Sequence, residues 1–258
     1  MERFTGYIGK KVIVFINHML KLHAFYYRTW MLIVKMPKEG RAINRWAIVE
    51  QVYFTGVQAL PVIIPLSLIV GCMIIIMFSK VSGQYDMGKM TLILIVREFG
   101  PMITAIVVIL RSATAVTIEI SYMNAFNEID AIEMAGIDPM RILCIPRLVG
   151  ITSAILCLFI VFDLVSIVGG YSIVWMATHV PMGNLLGQIG KAITVTDIVV
   201  GILKAVCFGF VITTICLYHG FKTKKRITNI PQVTSASAVE CLFHCVVINI
   251  IISLVFYV

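Results

Sequence analysis

Charge is scarce in this chain. Only 13% of the residues are Asp, Glu, Lys or Arg, whereas a soluble domain averages about 25%. Apolar residues make up 60% of the sequence and form long unbroken runs. Such runs exclude an outer-membrane barrel, whose strands alternate between apolar and polar residues. The sequence therefore predicts an all-α integral membrane protein.

Catalytic and metal-binding motifs are also missing. There is no GxSxG, no HExxH and no Ser/His/Asp set at helix-compatible spacing, so a lipid-modifying enzyme has no visible catalytic group. The seven cysteines form no CxxC pair and lie mostly in apolar runs, where we expect small core residues. The five histidines show no metal-ligand spacing, so we expect no metal or other cofactor on this chain. No secretory signal is evident, and we expect the N-terminus to be retained.

Residues 83–90 (GQYDMGKM) come close to a nucleotide-binding P-loop. Met90 stands where the motif has the Ser or Thr that holds magnesium, and no buried strand precedes the segment. The predicted orientation also places it outside the cell, where ATP is absent. We therefore reject nucleotide binding here, and any ATP must be hydrolysed by a separate subunit.

The chain does contain one amphipathic segment and five long apolar ones, which we treat as a single domain, 1–258. Residues 1–28, within an N-terminal region 1–45, place apolar side chains at helical spacing with basic residues between them. This pattern is typical of a helix in the membrane interface. Each apolar segment is near the ~20 residues needed to cross a bilayer. The predicted spans cover residues 52–78, 90–120, 142–176, 193–218 and 238–258.

Basic residues set the expected orientation. Nine Lys and Arg residues lie between the N-terminus and Arg45, and four more lie between Lys222 and Arg226. Because basic loops stay in the cytoplasm, these two regions are predicted to be cytoplasmic and Val258 periplasmic. The segment 121–141 then also lies in the cytoplasm.

That segment predicts a short acidic helix between spans two and three. Residues 124–134 are compatible with a helix, which Gly136 would end, with Pro139 beyond it. A polar helix at this place suits docking to a soluble partner. A solvated connecting helix is the alternative.

Charged residues inside the spans need a reason, because a charge in the membrane is costly unless it meets water, a partner or a ligand. Arg97 and Glu98 either line a cavity that meets a lipid headgroup or gates its exit, or form a structural ion pair. Snorkelling to the interface explains Arg111, and Glu119 could pair with it. For the remaining buried charges, Asp163 and Lys204, we expect contacts between helices.

Ordered motifs run from residue 97 to residue 147: Arg-Glu-Phe-Gly-Pro, then Glu-Ile-Ser-Tyr-Met, Glu-Ile-Asp-Ala, Gly-Ile-Asp-Pro and Pro-Arg. In this order they resemble the MlaE/YrbE family, the permease subunits of Mla- and Mce-type ABC transporters that move phospholipids and other lipids. Weaker similarity extends over most of the chain. The sequence departs from the family pattern at Ser121, where the family has glycine, and at Asn249, where it has aspartate. In span two, small-residue packing is reduced at 110–115.

The resemblance implies an N-terminal interfacial helix, five transmembrane helices and a cytoplasmic coupling helix at about 122–136 between spans two and three. It implies a homodimer or heterodimer of permease chains in the bacterial inner membrane, cytoplasmic ATPase subunits that carry ATP and Mg, a periplasmic MCE-domain protein, phospholipid as substrate and no nucleic acid. The lipid pathway or gate would comprise Arg97, Glu98, Pro101 and Lys204. The ATPase would couple through Glu119, Met123, Glu128, Asp130, Ala131 and Gly136.

Two other functions remain open at this point. An ion-coupled secondary transporter would use Arg97, Glu98, Asp163 and Lys204 as a relay, although no inverted repeat is visible. A membrane-embedded lipid-modifying enzyme would need a catalytic set that the sequence does not display.

Overall fold

The computed structural model describes residues 2–35, 45–81, 94–178, 195–223 and 226–257. These ranges are almost entirely helical and contain no strand. Five of their helices are long and apolar enough to cross a membrane: Arg45–Met77, Ile95–Ala125, Pro139–Ile173, Val195–Lys222 and Ile227–Phe256, called spans one to five below. The all-α membrane fold is thereby confirmed. The P-loop-like segment 83–90 lies outside the described residues.

Several spans are built from shorter helical pieces. The N-terminal helix is α1, Glu2–Lys35. Span one joins α2 to α3, Arg45–Thr55 and Leu60–Val81. Span two contains α4 and α5, Gly100–Val108 and Thr114–Ala125, each preceded by a π-helical segment, Ile95–Phe99 and Ile109–Ala113. The short helix α6 is Glu128–Met134. Span three contains α7 and α8, Pro139–Leu164 and Gly170–Thr178. Spans four and five are α9 and α10, Val195–Lys222 and Ile230–Tyr257.

The fifth span begins well before residue 238, where hydropathy predicts it. A 3₁₀ turn at Ile227–Asn229 leads directly into α10. Its first turns are polar, and their hydroxyls find partners in the protein: Thr234 donates to the carbonyl of Ile230 at 2.9 Å, and Ser237 meets Thr117 of span two at 3.2 Å. Because Ser and Thr can satisfy their hydroxyls in this way, the helix extends through a segment that is not apolar.

Span four lies at the centre of the bundle. It packs against spans two, three and five, and Phe208, Ile212 and Ile215 are fully buried there. A Cβ built on Gly209 would lie 2.7 Å from the Cα of Thr152 in span three, so a glycine is needed for this close approach. The N-terminal helix lies against span four, where the rings of Phe25 and Tyr218 are 5.7 Å apart.

Candidate functional site: a charged network and an acidic helix at opposite ends of span two

A network of charged and polar side chains joins the start of span two to the start of span four and the end of span five. Its centre is the carboxylate of Glu98. One carboxylate oxygen accepts from Lys204 Nζ at 3.0 Å and from Ser253 Oγ at 2.7 Å. The other accepts from Asn249 Nδ2 at 2.7 Å. Three helices are therefore tied together through one carboxylate.

Lys204 is fully buried, yet each of its three ammonium protons has an acceptor. Nζ donates to Glu98, to Ser253 Oγ at 2.7 Å and to the main-chain carbonyl of Arg97 at 2.8 Å. That carbonyl is accessible because Pro101, four residues later, has no N–H to donate to it. The proline in the motif thus helps to build the site of a buried charge.

Arg97 makes the second ion pair of the network. Its Nε and Nη2 both lie 2.5 Å from Asp197 Oδ1, and the Asp197 side chain is only 1% exposed. Among the described residues the network therefore contains two cations and two carboxylates, whose formal charges balance. Such balance is what allows ionised groups to persist in a membrane-embedded bundle.

A third carboxylate, that of Asp163, lies beside the network. A Cβ built on Gly100 would lie 2.2 Å from Asp163 Oδ1, so the glycine allows span three to approach span two here. This Asp163 oxygen is buried and has no hydrogen-bond partner within the described part of the chain. The contact between helices expected of Asp163 is thus with the backbone of Gly100.

The acidic helix α6 lies at the opposite end of span two. Gly136 has a φ of +76° and closes α6 with a Schellman turn, in which Ile137 N–H donates to the carbonyl of Ile132 at 3.2 Å. Asp138 caps the following helix by accepting from Met140 N at 3.0 Å, and Pro139 occupies its first turn. The Gly-x-Asp-Pro motif therefore encodes one helix end and the next helix start.

The structure divides the predicted 122–136 helix in two. Residues 122–125 belong to span two, and Asn127 takes a left-handed conformation, φ 59°, before α6 begins. The turn between span two and α6 is called the corner below. Asn124 anchors it by donating to the carbonyls of Phe221 and Thr223 at 2.9 and 2.8 Å. Ser121, the departure from the family glycine, is buried and meets the hydroxyl of Thr223 at 2.8 Å.

The outer face of α6 mixes acidic and apolar groups. Glu128, Ala131 and Gly136 are exposed, whereas Asp130 and the neighbouring Met123 of span two are half-buried. Ile129 is buried and holds α6 against the bundle. Exposed apolar side chains surround the acidic ones, with Phe126 at 59% and Met134 at 83% exposure. The corner thus presents a surface suited to another protein.

Glu119 pairs with a different arginine from the one predicted. Its carboxylate lies 2.7 Å from Nη2 of buried Arg147 in span three. Arg111 instead donates to the carbonyl of Phe54 at 3.0 Å and to Gln58 at 2.9 Å, both in span one. Arg111 lies within the π-helical segment Ile109–Ala113, so regular α-helical spacing does not describe its position relative to Glu119.

Comparison with known proteins gives the family. The sequence model of the family described as Permease MlaE matches residues 48–255. The chain belongs to the MlaE permease family. The phospholipid transport permease MlaE of Haemophilus influenzae is 27% identical over 198 residues, covering 75% of this chain and 76% of that protein. Probable ABC transporter permeases of Rickettsia conorii and Pyropia yezoensis are 23% and 22% identical, and cover 97% and 82% of this chain, and 96% and 82% of their own lengths.

The matched range of the permease contains both the charged network and α6. Of the predicted gate residues, Arg97, Glu98 and Lys204 lie in one network. Pro101 contributes indirectly, because it has no N–H to donate to the carbonyl that accepts from Lys204. Sequence reasoning did not assign Asp197, Asn249 and Ser253 to this site. Helical spacing could have suggested them. Asp197 precedes Lys204 by seven residues and Asn249 precedes Ser253 by four, so the members of each pair share a helix face.

Proposed function

We propose that this permease is the membrane subunit of an ABC transporter that moves phospholipid between the bacterial inner membrane and a periplasmic MCE-domain protein. The observation that carries the proposal is the arrangement along span two, a closed charged network at one end and an exposed acidic helix at the other. The similarity to the phospholipid transport permease of Haemophilus supports phospholipid as the substrate. The ABC transporter names of the other relatives support a separate ATPase.

In the proposed mechanism, α6 is the coupling helix and faces the cytoplasm. An ATPase subunit, carrying ATP and Mg, contacts Glu128, Asp130, Ala131 and Gly136, while Glu119 and Met123 support this corner from span two. The N-terminus is then cytoplasmic and the C-terminus periplasmic. A second permease copy completes the assembly, and the lipid occupies the apolar space between the two copies.

Movement passes from α6 to the network through span two. ATP binding brings the two ATPase subunits together and displaces both coupling helices. Span two transmits the displacement, and its two π-helical segments give it places where the helix register can shift. The network around Glu98 then exchanges one set of hydrogen bonds for another, which is a two-state change biased by a ligand on a partner chain.

Reconstitution of the complete complex tests the proposal. The permease is purified with its ATPase and MCE partners in liposomes that contain labelled phospholipid, and transfer is measured with ATP or with a non-hydrolysable analogue. We expect bound phospholipid by mass spectrometry and transfer that depends on ATP. Transfer that continues without the ATPase and stops when a proton gradient is removed would overturn the proposal in favour of ion-coupled transport.

A further inference from the structure

Two histidines and a glutamate from three separate helices meet beside the N-terminal helix. His18 lies on α1, His219 near the end of α9 and Glu240 on α10. His18 Nε2 is 3.0 and 3.1 Å from the two oxygens of Glu240, and His219 Nε2 is 2.5 Å from one of them. The side chains of His18, His219 and Glu240 are 23%, 11% and 14% exposed. These groups lie outside the charged network and outside α6.

We propose that His18, His219 and Glu240 bind one divalent transition-metal ion, with Zn²⁺ as the best-fitting metal, and that the ion fixes α1 to spans four and five. The proposal does not depend on the proposed transport function. His18 lies outside the range 48–255 that matches the family model, whereas His219 and Glu240 lie within it.

The donor set and its spacing fit such an ion. One ligand atom from each residue lies within 4.8 Å of the other two. Imidazole nitrogen and carboxylate oxygen are common zinc ligands, and three of them leave the fourth tetrahedral position to water. With bonds of about 2.0–2.1 Å, neighbouring ligands of a tetrahedral zinc are about 3.3 Å apart. The His18–Glu240 distances are already close to this value, and the His219–Glu240 distance must widen by somewhat less than 1 Å.

The groups around His18 can support the metal-bound form. Tyr218 Oη lies 3.4 Å from His18 Nδ1 and can accept a hydrogen bond from the Nδ1–H group when Nε2 binds the metal. Lys222 Nζ lies 3.1 Å from the same nitrogen and 3.2 Å from Tyr218 Oη. Because the Lys222 residue is exposed, its ammonium can turn to Tyr218 and water when Nδ1 becomes a donor.

A route for the ion is also present. A cavity of about 440 Å³ is lined by His219, Lys222 and residues of the first turns of span five, among them Gln232 and Ala236. His219 lies in the wall of this cavity, so a hydrated ion in the cavity can reach this ligand directly. The cavity also has room for the water that would complete the coordination.

Zinc binding to the full chain in its complex, purified without a histidine tag, tests the proposal. Equilibrium dialysis against Zn²⁺ alone should give one tight ion per permease chain. Removing one ligand, in His18→Gln, His219→Gln or Glu240→Gln, should weaken binding by at least about tenfold to a hundredfold. His23→Gln and His244→Gln are matched controls on α1 and α10. Within the described part of the chain, the ring of each of these histidines hydrogen-bonds only to a main-chain carbonyl of its own helix. Both controls should bind zinc as the unmodified chain does.

X-ray absorption of the zinc-loaded unmodified chain keeps the test decisive if a variant fails to fold. We expect a shell of nitrogen and oxygen at about 2.0–2.1 Å; a sulfur shell at about 2.3 Å would place the metal on the cysteines and overturn the proposal. Zn²⁺ should also slow proteolysis within α1 in the unmodified chain but not in Glu240→Gln. Equal zinc binding by the ligand variants and the controls, or no tight ion at all, would likewise refute the site and leave His18, Glu240 and His219 as a hydrogen-bonded triad.

Discussion

The ammonium of Lys204 donates a hydrogen bond of 2.8 Å to the main-chain carbonyl of Arg97. A side chain of span four thus occupies a backbone position that Pro101 leaves without its usual partner. The bond fixes the start of span two against span four and brings Glu98, the next residue, within 3.0 Å of the same ammonium. The network is therefore determined by backbone geometry as well as by charge.

Replacing Lys204 with Met should destabilise the permease. Among the described contacts, the substitution leaves Glu98 with the neutral donors Asn249 and Ser253, and it removes the bond from Lys204 to the Arg97 carbonyl. Breaking a buried pair from one side costs about 3–5 kcal/mol, and the partial exposure of Glu98, 36%, puts the expected loss at or below the low end of that range. Thermal unfolding in nanodiscs measures it.

A double variant serves as its control. Lys204→Met with Glu98→Gln removes both charges, so no carboxylate remains unpaired. We expect the double variant to be more stable than Lys204→Met alone. With the single variant Glu98→Gln it completes a double-mutant cycle, for which we expect a coupling energy of about 0.5–3 kcal/mol. Additive effects of the two substitutions would mean that Lys204 and Glu98 are not energetically coupled and that Lys204 contributes through its packing and its bonds to Ser253 and the Arg97 carbonyl.

Asn249→Asp should disturb the network although it restores the residue usual in the family. The amide of Asn249 donates to Glu98 at 2.7 Å, whereas an aspartate would set a second carboxylate against it and add one negative charge to the network. We expect lower thermal stability and slower lipid transfer. Adding Glu98→Gln exchanges the carboxylate and the amide between the two positions, and this double variant should recover part of the loss. No recovery would show that charge balance is not what position 249 maintains.

Arg97→Glu should block lipid transfer while the ATPase remains bound. The new carboxylate would face Asp197, which is almost fully buried, and would repel it at the position where the arginine now forms its ion pair. Because α6 lies at the other end of span two, the docking corner should be unaffected. Transfer and ATPase co-purification are measured on the same preparations, with Arg97→Lys as the variant that preserves charge. Normal transfer by Arg97→Glu would remove this residue from the mechanism.

Much of the fold could be predicted because hydropathy and turn chemistry are local signals. Long apolar runs identified the spans, and Gly136 and Pro139 marked the two helix boundaries where the structure has them. Local signals also misplace boundaries. The polar turns of span five before residue 238 were missed because their hydroxyls are satisfied by partners elsewhere in the bundle, as Ser237 is by Thr117.

The partners of the charged residues were harder to predict, because they depend on which helices become neighbours. Glu98 meets Asn249 and Ser253, more than 150 residues away in the chain, and Asp197 meets Arg97 across 100. The pairing of Glu119 with Arg111 was wrong for a related reason, since Arg111 lies within a π-helical segment that the sequence does not mark. His18 and Glu240 are 222 residues apart in the sequence, so no short motif could reveal their contact.

Reversing the acidic charges of α6 should abolish ATPase co-purification. Glu128 and Asp130 lie in the first turn of this seven-residue helix, and their replacement by Lys would turn an acidic surface into a basic one beside exposed Phe126 and Met134. We expect membrane insertion to be unchanged, because Ile129 and the Asn124 anchor that hold the corner in place remain. Affinity purification of the permease followed by quantification of the ATPase measures the effect.

Two controls separate docking from helix stability in this experiment. Acidic residues in the first turn also favour the helix dipole by about 0.3–1 kcal/mol each, so Glu128→Gln with Asp130→Asn removes that stabilisation without creating positive charge. This variant should retain more ATPase than the double Lys variant. Glu50→Lys reverses another exposed glutamate, near the start of span one, and should retain all of it. If the double Lys variant co-purifies with the ATPase as fully as Glu50→Lys does, α6 does not dock the ATPase through these charges.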